Sequence, residues 1–256
     1  MLRSILIALC FMLPLSAQAE EEVVLGLSQN RVAITANFDG SEILVFGAVK
    51  REAAIPDGDP LEVVVTVSGP SEPITVRRKE KRFGIWVNTD SVTIDAAPSF
   101  YAVASSGPLQ DILAKHEDIL HRVSIENAID SIAARFRQPE APRFAEAIAR
   151  IRTDNGLYSV HEGAVQVEEQ TLFRTSIAMP ANLTEGDYST RVFLTRGGLV
   201  ISEYETTIDV RKVGLERFLF NLSRQQPLVY GLLSLAIAII AGWGASAFFR
   251  FVRQGA

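Results

Sequence analysis

Among 256 residues there is one cysteine, Cys10, and it lies inside the first apolar run of the chain. A chain so poor in cysteine holds no disulfide framework, and a segment of about 200 residues is large enough to bury a core without one. Histidine is almost as scarce: His116, His121 and His161 are all there are. His116 and His121 stand five apart, which turns them about 140° away from each other on a helix. The zinc-protease pattern needs a spacing of four with a glutamate after the first histidine; Glu117 is in place but the second histidine comes one residue late. With no second thiol, a structural zinc site is not expected either. Nucleophilic chemistry also lacks its markers: there is no G-x-S-x-G, no plausible S-x-x-K and no glycine-rich phosphate loop. Carboxylates are plentiful, but no pair has an apolar setting that would drive its pKa values apart. The composition points away from an enzyme and from any cofactor.

Charge is missing from one long stretch. Leu228–Phe249 carries no charged residue and is long enough to span a bilayer as a helix. Arg224 precedes it, and Arg250 and Arg253 follow it. At the other end, residues 1–19 read as a secretory signal: Arg3 in a basic n-region, Ile5–Leu15 as the apolar h-region, and Ala17-Gln18-Ala19 as the cleavage site. The alternative, an uncleaved first anchor, asks a run of about a dozen residues to span a bilayer. Cys10 follows bulky Leu9 and sits too early for a lipoprotein site. The expected topology is an exported segment held by one C-terminal helix, with residues 250–256 as a cytoplasmic tail whose arginines obey the positive-inside rule. In a bacterium this places the protein in the inner membrane with its N-terminal domain in the periplasm.

Removing Arg3, Arg250 and Arg253 from the 25 basic residues leaves 22 against 30 acidic ones, so the exported segment carries −8. An acidic domain is a poor nucleic-acid binder. Its first part, residues 20–104, reads as β. Runs rich in Val, Ile and Thr cover 23–27, 31–36, 42–50, 61–68, 74–78, 84–87 and 100–104, punctuated by Asp39-Gly40, Pro56–Pro60 and Ser68-Gly69-Pro70. About seven strands in 80 residues suggest an immunoglobulin-like sandwich, with Ile43, Val45, Val63, Val65, Val67, Ile85 and Val87 facing its core.

The period changes at Pro108. Residues 105–156 read as a helical segment: Leu109, Ile112, Leu113, His116, Ile119 and Leu120 recur at helical spacing. Ser124 can cap a second helix bearing Ile125, Ile129, Ile132, Ala133 and Phe136. A break follows at Gln138–Pro142, and a third helix with Phe144, Ile148 and Ile151 ends at Asn155-Gly156. Strands return over 157–214, with Gly197-Gly198 joining the last two as a hairpin. These strands need a covering surface, and the helical segment can supply it. Whether the two β regions form one sheet system or two is left open. Residues 215–227 make a juxtamembrane segment, with Phe218, Leu219 and Leu222 against Glu216, Arg217 and Arg224 as a short interfacial helix. Pro227 suits the first turn of the spanning helix, residues 228–249.

Two features are candidates for contact. Arg77, Arg78, Lys79, Lys81 and Arg82, interrupted by Glu80, form the densest charge run, and Phe83–Trp86 follow. The run can hold an anion or an acidic partner, or it can be a solvated hairpin whose lysines blunt a strand edge. Trp86 is a recognition aromatic in the first case and a core residue in the second. In the anchor, Ser234, Ala238, Gly242 and Ser246 recur every four residues and put small side chains on one helix face, where another membrane helix can approach closely.

Several segments carry a resemblance: Val24–Ser28, Arg77–Asn88 ending in Gly84-Ile85-Trp86-Val87-Asn88, Pro98–Ala102, Leu183–Tyr188 and the single C-terminal span. On these the chain resembles, over nearly its full length, a family of alphaproteobacterial transmembrane proteins. Those motifs are structural and transfer no active site. The resemblance implies a link to a multi-spanning permease of the sulfite-exporter type. The expectation is therefore a mainly β protein with a helical insert, a second β region and one transmembrane helix. It would act without catalysis, as an accessory subunit of a polytopic transporter or else as a membrane-tethered anion- or solute-binding module. Its partners would be membrane lipid, through the C-terminal helix, and a polytopic membrane protein or a second copy. A membrane-anchored hydrolase is the remaining reading.

Overall fold

The computed structural model describes residues 21–35, 38–52, 54–56, 58–133, 141–213 and 215–254. The expected signal segment, Phe136 and residues 138–140 of the expected break lie outside them, while Ala141 and Pro142 of that break open a helix. Among the described residues twelve strands and six helices follow in the order β1 (Glu22–Leu27), β2 (Arg31–Ile34), β3 (Ser41–Lys50), β4 (Glu62–Ser68), β5 (Ser71–Arg82), β6 (Ile85–Pro98), β7 (Tyr101–Ser105), α1 (Leu109–Ile112), α2 (Lys115–His121), α3 (Ile125–Ala133), α4 (Ala141–Asp154), β8 (Tyr158–His161), β9 (Gln166–Glu168), β10 (Leu172–Met179), β11 (Gly186–Arg196), β12 (Leu199–Lys212), α5 (Leu215–Gln225) and α6 (Pro227–Gln254). The protein is mainly β, with one apolar C-terminal helix.

The strands before and after the helical segment share their sheets, which answers the question the sequence left open. One sheet has the order β1-β3-β10-β9 and the other β2-β12-β11-β4-β7-β8. β3 pairs with β10, and β4 with β11, so neither 20–104 nor 157–214 is a sandwich by itself. The seven strands of 23–104 thus do not close an immunoglobulin-like unit of their own; β3 and β4 find partners in β10 and β11, more than 100 residues downstream.

The valine run of β4 shows why it sits in the middle. Val63, Val65 and Val67 face the core between the two sheets, with Ile43, Val45, Phe173, Ile177, Val192 and Leu194. Val64 points the other way, into a second core with Val103, Phe193 and the helices. A strand buried on both faces reads as a continuous apolar run, and period-2 geometry sorts it. The second core is closed by Ile112, Leu113, Val123, Ile125, Ile129, Phe144 and Ile148 from α1–α4 and by Val92, Ile94 and Ala97 from β6. The helical segment therefore covers the outer face of the six-stranded sheet.

Helix spacing misled at one place. The expected single helix over 109–120 is broken at Leu113 and Ala114, both extended. The Ala114 N–H instead donates to the Gly198 carbonyl at 2.8 Å. The break rotates α2, and Ile119 and Leu120 face solvent. Ser124 does cap α3, its Oγ accepting from the Asn127 N–H at 3.3 Å.

Three buried tyrosines anchor the fold, Tyr101 and Tyr158 in the second core and Tyr188 in the core between the sheets. The Tyr158 hydroxyl donates to the Pro98 carbonyl at 2.7 Å, and Tyr188 to the Thr184 carbonyl at 2.8 Å. Tyr101 Oη lies 2.9 Å from the Arg122 and Val123 carbonyls. Burial raises all three pKa values, those of Tyr158 and Tyr188 to about 12. A tyrosine that ionises near pH 10 when unfolded but only near 12 when folded stabilises the fold below pH 10. That stability is lost as pH rises from 10 through 12, by about 2–3 kcal/mol for a two-unit shift. Absorbance at 295 nm should show Tyr101, Tyr158 and Tyr188 titrating only together with loss of near-UV circular dichroism. Smooth ionisation of all five tyrosines near pH 10 in the folded protein would contradict this.

Candidate functional site

The basic run lies on a long hairpin, and the hairpin explains its chemistry. β5 and β6 form their own two-stranded sheet, with Arg82 opposite Ile85 and Lys81 opposite Trp86. Phe83 and Gly84 make the two-residue turn, both with positive φ, +52° and +86°. A two-residue loop with both φ positive is the turn that matches strand twist. The sequence predicted two short strands, 74–78 and 84–87, because charged residues disguise β5 and turn-like Asn88–Ser91 disguises β6. β6 absorbs one extra residue where the register shifts, Arg78 opposing Asp90 and Lys79 opposing Asn88.

Strand alternation sorts the cations. Arg78, Glu80 and Arg82 share a face, where Arg78 pairs with Asp90 and Glu80, and Arg82 with Glu80 at 3.4 Å. Arg77, Lys79 and Lys81 fall on the other. These pairs are exposed and worth at most about 1 kcal/mol each. Ile85 and Trp86, expected in the core, are exposed instead, and Val87 is only half-buried. The core of the sandwich is complete without them, and the hairpin buries only its lower part, at Val92, Ile94 and Ala97.

Between that hairpin and α4 lies a cleft of about 320 Å³. Val76, Phe144, Ala147 and Ile151 form an apolar floor, and Arg77, Arg78, Lys79, Arg143 and Arg150 stand around it. Among the described residues no carboxylate lines it. Arg143 and Arg150 were missed from sequence, although Arg143, Ala147 and Arg150 at i, i+4 and i+7 define one helix face. Arg152 fixes α4 against the hairpin base: its Nη1 donates to the Ser99 carbonyl at 2.6 Å, and its guanidinium lies 5.7 Å from the Tyr158 ring centroid. Five cations around an apolar pocket, Arg78 already paired with Asp90 and Glu80, suit an anionic group attached to an apolar body, because a low-dielectric wall strengthens each charge-assisted bond.

His116 and His121 meet only at Glu117, 3.2 and 3.4 Å from its two carboxylate oxygens. His116 is exposed, and His121 packs on Phe193 between Glu117 and Glu203, 3.4 and 3.2 Å away. Among the described residues no group of three or more His, Cys, Asp or Glu is arranged to hold a metal.

The other candidate is the C-terminal helix. Pro227–Ser246 is long and apolar enough to cross a bilayer, and none of it is buried against the rest of the chain. A family model described as "Putative transmembrane protein (Alph_Pro_TM)" matches residues 22–251. The chain belongs to that family. The match takes in both sheets, the hairpin, the helical layer and the apolar helix as one unit. No curated protein matches the chain significantly. In this family member, amphipathic α5 runs almost directly into α6, the Gln226 N–H donating to Leu222 and the Tyr230 N–H to Gln226. Ser234, Ala238, Gly242 and Ser246 lie exposed along α6, and a Cβ on Gly242 would meet nothing within 4 Å. No part of the chain fills that strip among the described residues.

Proposed function

We propose that this protein is a non-enzymatic, membrane-tethered periplasmic module that holds an anionic ligand in the cleft between its basic hairpin and α4. The carrying observation is that cleft, with five cations, Arg78 among them already paired with Asp90 and Glu80, and no carboxylate among its described lining residues, on an otherwise acidic domain. Oxyanions are the chemistry such a rim recognises. The full-length protein in mild detergent should be stabilised by at least one of sulfite, sulfate, thiosulfate or phosphate, or by an anionic amphiphile such as an alkyl sulfate below its micelle concentration. The paired substitutions Arg143→Glu and Arg150→Glu should abolish the thermal shift without lowering the starting melting temperature by more than a few degrees. A native protein that shifts with none of these probes loses the reading.

A second reading, an accessory subunit of a polytopic transporter, is favoured by two unfilled surfaces. Val24, Leu44, Phe46 and Leu172 are exposed on the outer face of the four-stranded sheet, a contiguous apolar patch of the sort that marks interaction sites. The small-residue strip of α6 offers the membrane half of such a contact. Replacing both Ala238 and Gly242 by isoleucine should then remove a polytopic partner that co-purifies with the native protein. Undiminished recovery would take the strip out of the argument.

A further inference from the structure

We propose that the tip of the β5–β6 hairpin is a second membrane contact, with Phe83, Ile85 and Trp86 seated in the lipid interface and Lys81 and Arg82 on anionic phospholipid headgroups. The tip carries three large apolar side chains that the fold leaves outside: Ile85 is 64% exposed, Trp86 68%, and Phe83 fully so. Phe83 also occupies a left-handed turn position that glycine or asparagine fills at far lower cost. A Cβ on Gly84 would meet nothing within 4 Å, so the turn is open on every side. Nothing in the fold gains from an aromatic there.

The register shows from which end of the six-stranded sheet the hairpin springs. β4 ends at Ser68 opposite Ser189 near the start of β11, and β11 starts at Gly186 opposite Val210 near the end of β12. β7 begins at Tyr101 opposite the same Ser68. The hairpin leaves after Ser68 and returns before Tyr101, clamped at its base by the Gly69 N–H on Phe100 and the Ser99 N–H on Pro70. A Cβ on Gly186 would stand 2.7 Å from Pro70. Hairpin base and the exit of β12 towards α5 and the membrane helix therefore share one end of the six-stranded sheet. From that end, α5 separates the sheet from the apolar helix by 11 residues, about 16 Å if it stood upright. The hairpin strands, 12 residues in β5, are about 40 Å long, and since Ile74, Val76, Val92 and Ile94 pack on the helical layer, about 20 Å of strand beyond Val76 is left to carry the tip.

The chemistry of the tip names its occupant. Tryptophan and phenylalanine beside basic residues are what settles at the headgroup level of a bilayer, and each nearby cation is attracted by anionic lipid. The cross-strand pairs Lys81–Trp86 and Arg82–Ile85 place cation and apolar side chain next to each other. The contact involves the tip, not the cleft, and stands apart from any ligand bound there.

The protein has two tryptophans, Trp86 and Trp243, the latter in the apolar helix. The full-length Trp243→Phe variant, with Trp86 as its only tryptophan, is reconstituted into vesicles of phosphatidylcholine with a quarter phosphatidylglycerol, with and without brominated acyl chains. Trp86 emission should fall at least twofold with brominated lipid and resist iodide. Adding Phe83→Asp and Ile85→Asp should restore at least four-fifths of the emission. The Trp86→Phe protein, reporting through Trp243, shows in parallel that the anchor is inserted. An unquenched, iodide-accessible Trp86 beside a quenched Trp243 overturns the proposal, as does quenching that the aspartate variant leaves intact.

Discussion

Replacing Glu21 by alanine is expected to cost about 3–5 kcal/mol of folding stability. The Glu21 side chain is 4% exposed and pairs with two arginines, Arg51 and Arg196, themselves 7% and 15% exposed. Arg196 holds both carboxylate oxygens at 3.1 and 3.2 Å and donates to the Asp59 carbonyl at 2.6 Å. Arg51 also reaches the Gln170 carbonyl and, at 3.2 Å, Thr171 Oγ1. Take the carboxylate away and two guanidiniums remain close together with little water to screen them. The neighbouring pair Lys50–Glu22 tells the two regimes apart: its side chains are 60% and 66% exposed, so Glu22→Ala should change stability by less than about 1 kcal/mol. For a domain of this size a loss of 3–5 kcal/mol lowers the melting temperature by roughly 6–20 °C. Scanning calorimetry of the two variants in the same detergent reads both numbers. Equal melting temperatures would mean that water reaches the cluster.

That cluster illustrates what a sequence hides. Glu21, Arg51 and Arg196 are 30 and 145 residues apart along the chain, and no local pattern announces that they meet. Local pattern was reliable where burial dictates the pattern, on one face in β1, β3, α3 and α4 and on both faces in the valine run of β4; these and the Gly197-Gly198 hairpin fall close to their expected places. It failed where a residue obeys a distant partner. Ala114 gives its N–H to Gly198 and breaks a helix that its own periodicity favours. Arg77–Arg82 looked like the end of a strand because arginine and lysine are poor strand markers, yet β6 pairs along nearly its whole length. The same blindness split the cleft: the basic run was visible as a charge cluster, while Arg143 and Arg150 were visible only as a helix face. Nothing before folding says that the two adjoin.

The membrane helix is the opposite case, legible from composition alone, and its loss should be the other large effect. Substituting arginine for both Leu235 and Ile239 is expected to move the protein from the membrane to the soluble fraction. Leu, Ile, Val and Phe occur ten times between Leu228 and Phe249, each contributing about 0.3–0.6 kcal/mol to insertion. Together they supply about 3–6 kcal/mol. Each arginine near the centre of the span costs about 2.5–3.5 kcal/mol and also forfeits the residue it replaces, so the pair costs about 6–8 kcal/mol. The penalty matches or exceeds the whole driving force. Leu235 and Ile239 are 58% and 62% exposed, facing away from the rest of the chain, so no internal contact offsets it. Alanine at the same two positions should leave the protein in the membrane pellet after alkaline carbonate extraction, while the arginine pair should leave most of it in the supernatant. An arginine variant that stays in the pellet would shift the hold on the bilayer to α5 and the hairpin tip. The test is then repeated with Phe83 and Ile85 replaced by aspartate, which separates attachment through the tip from attachment through α5.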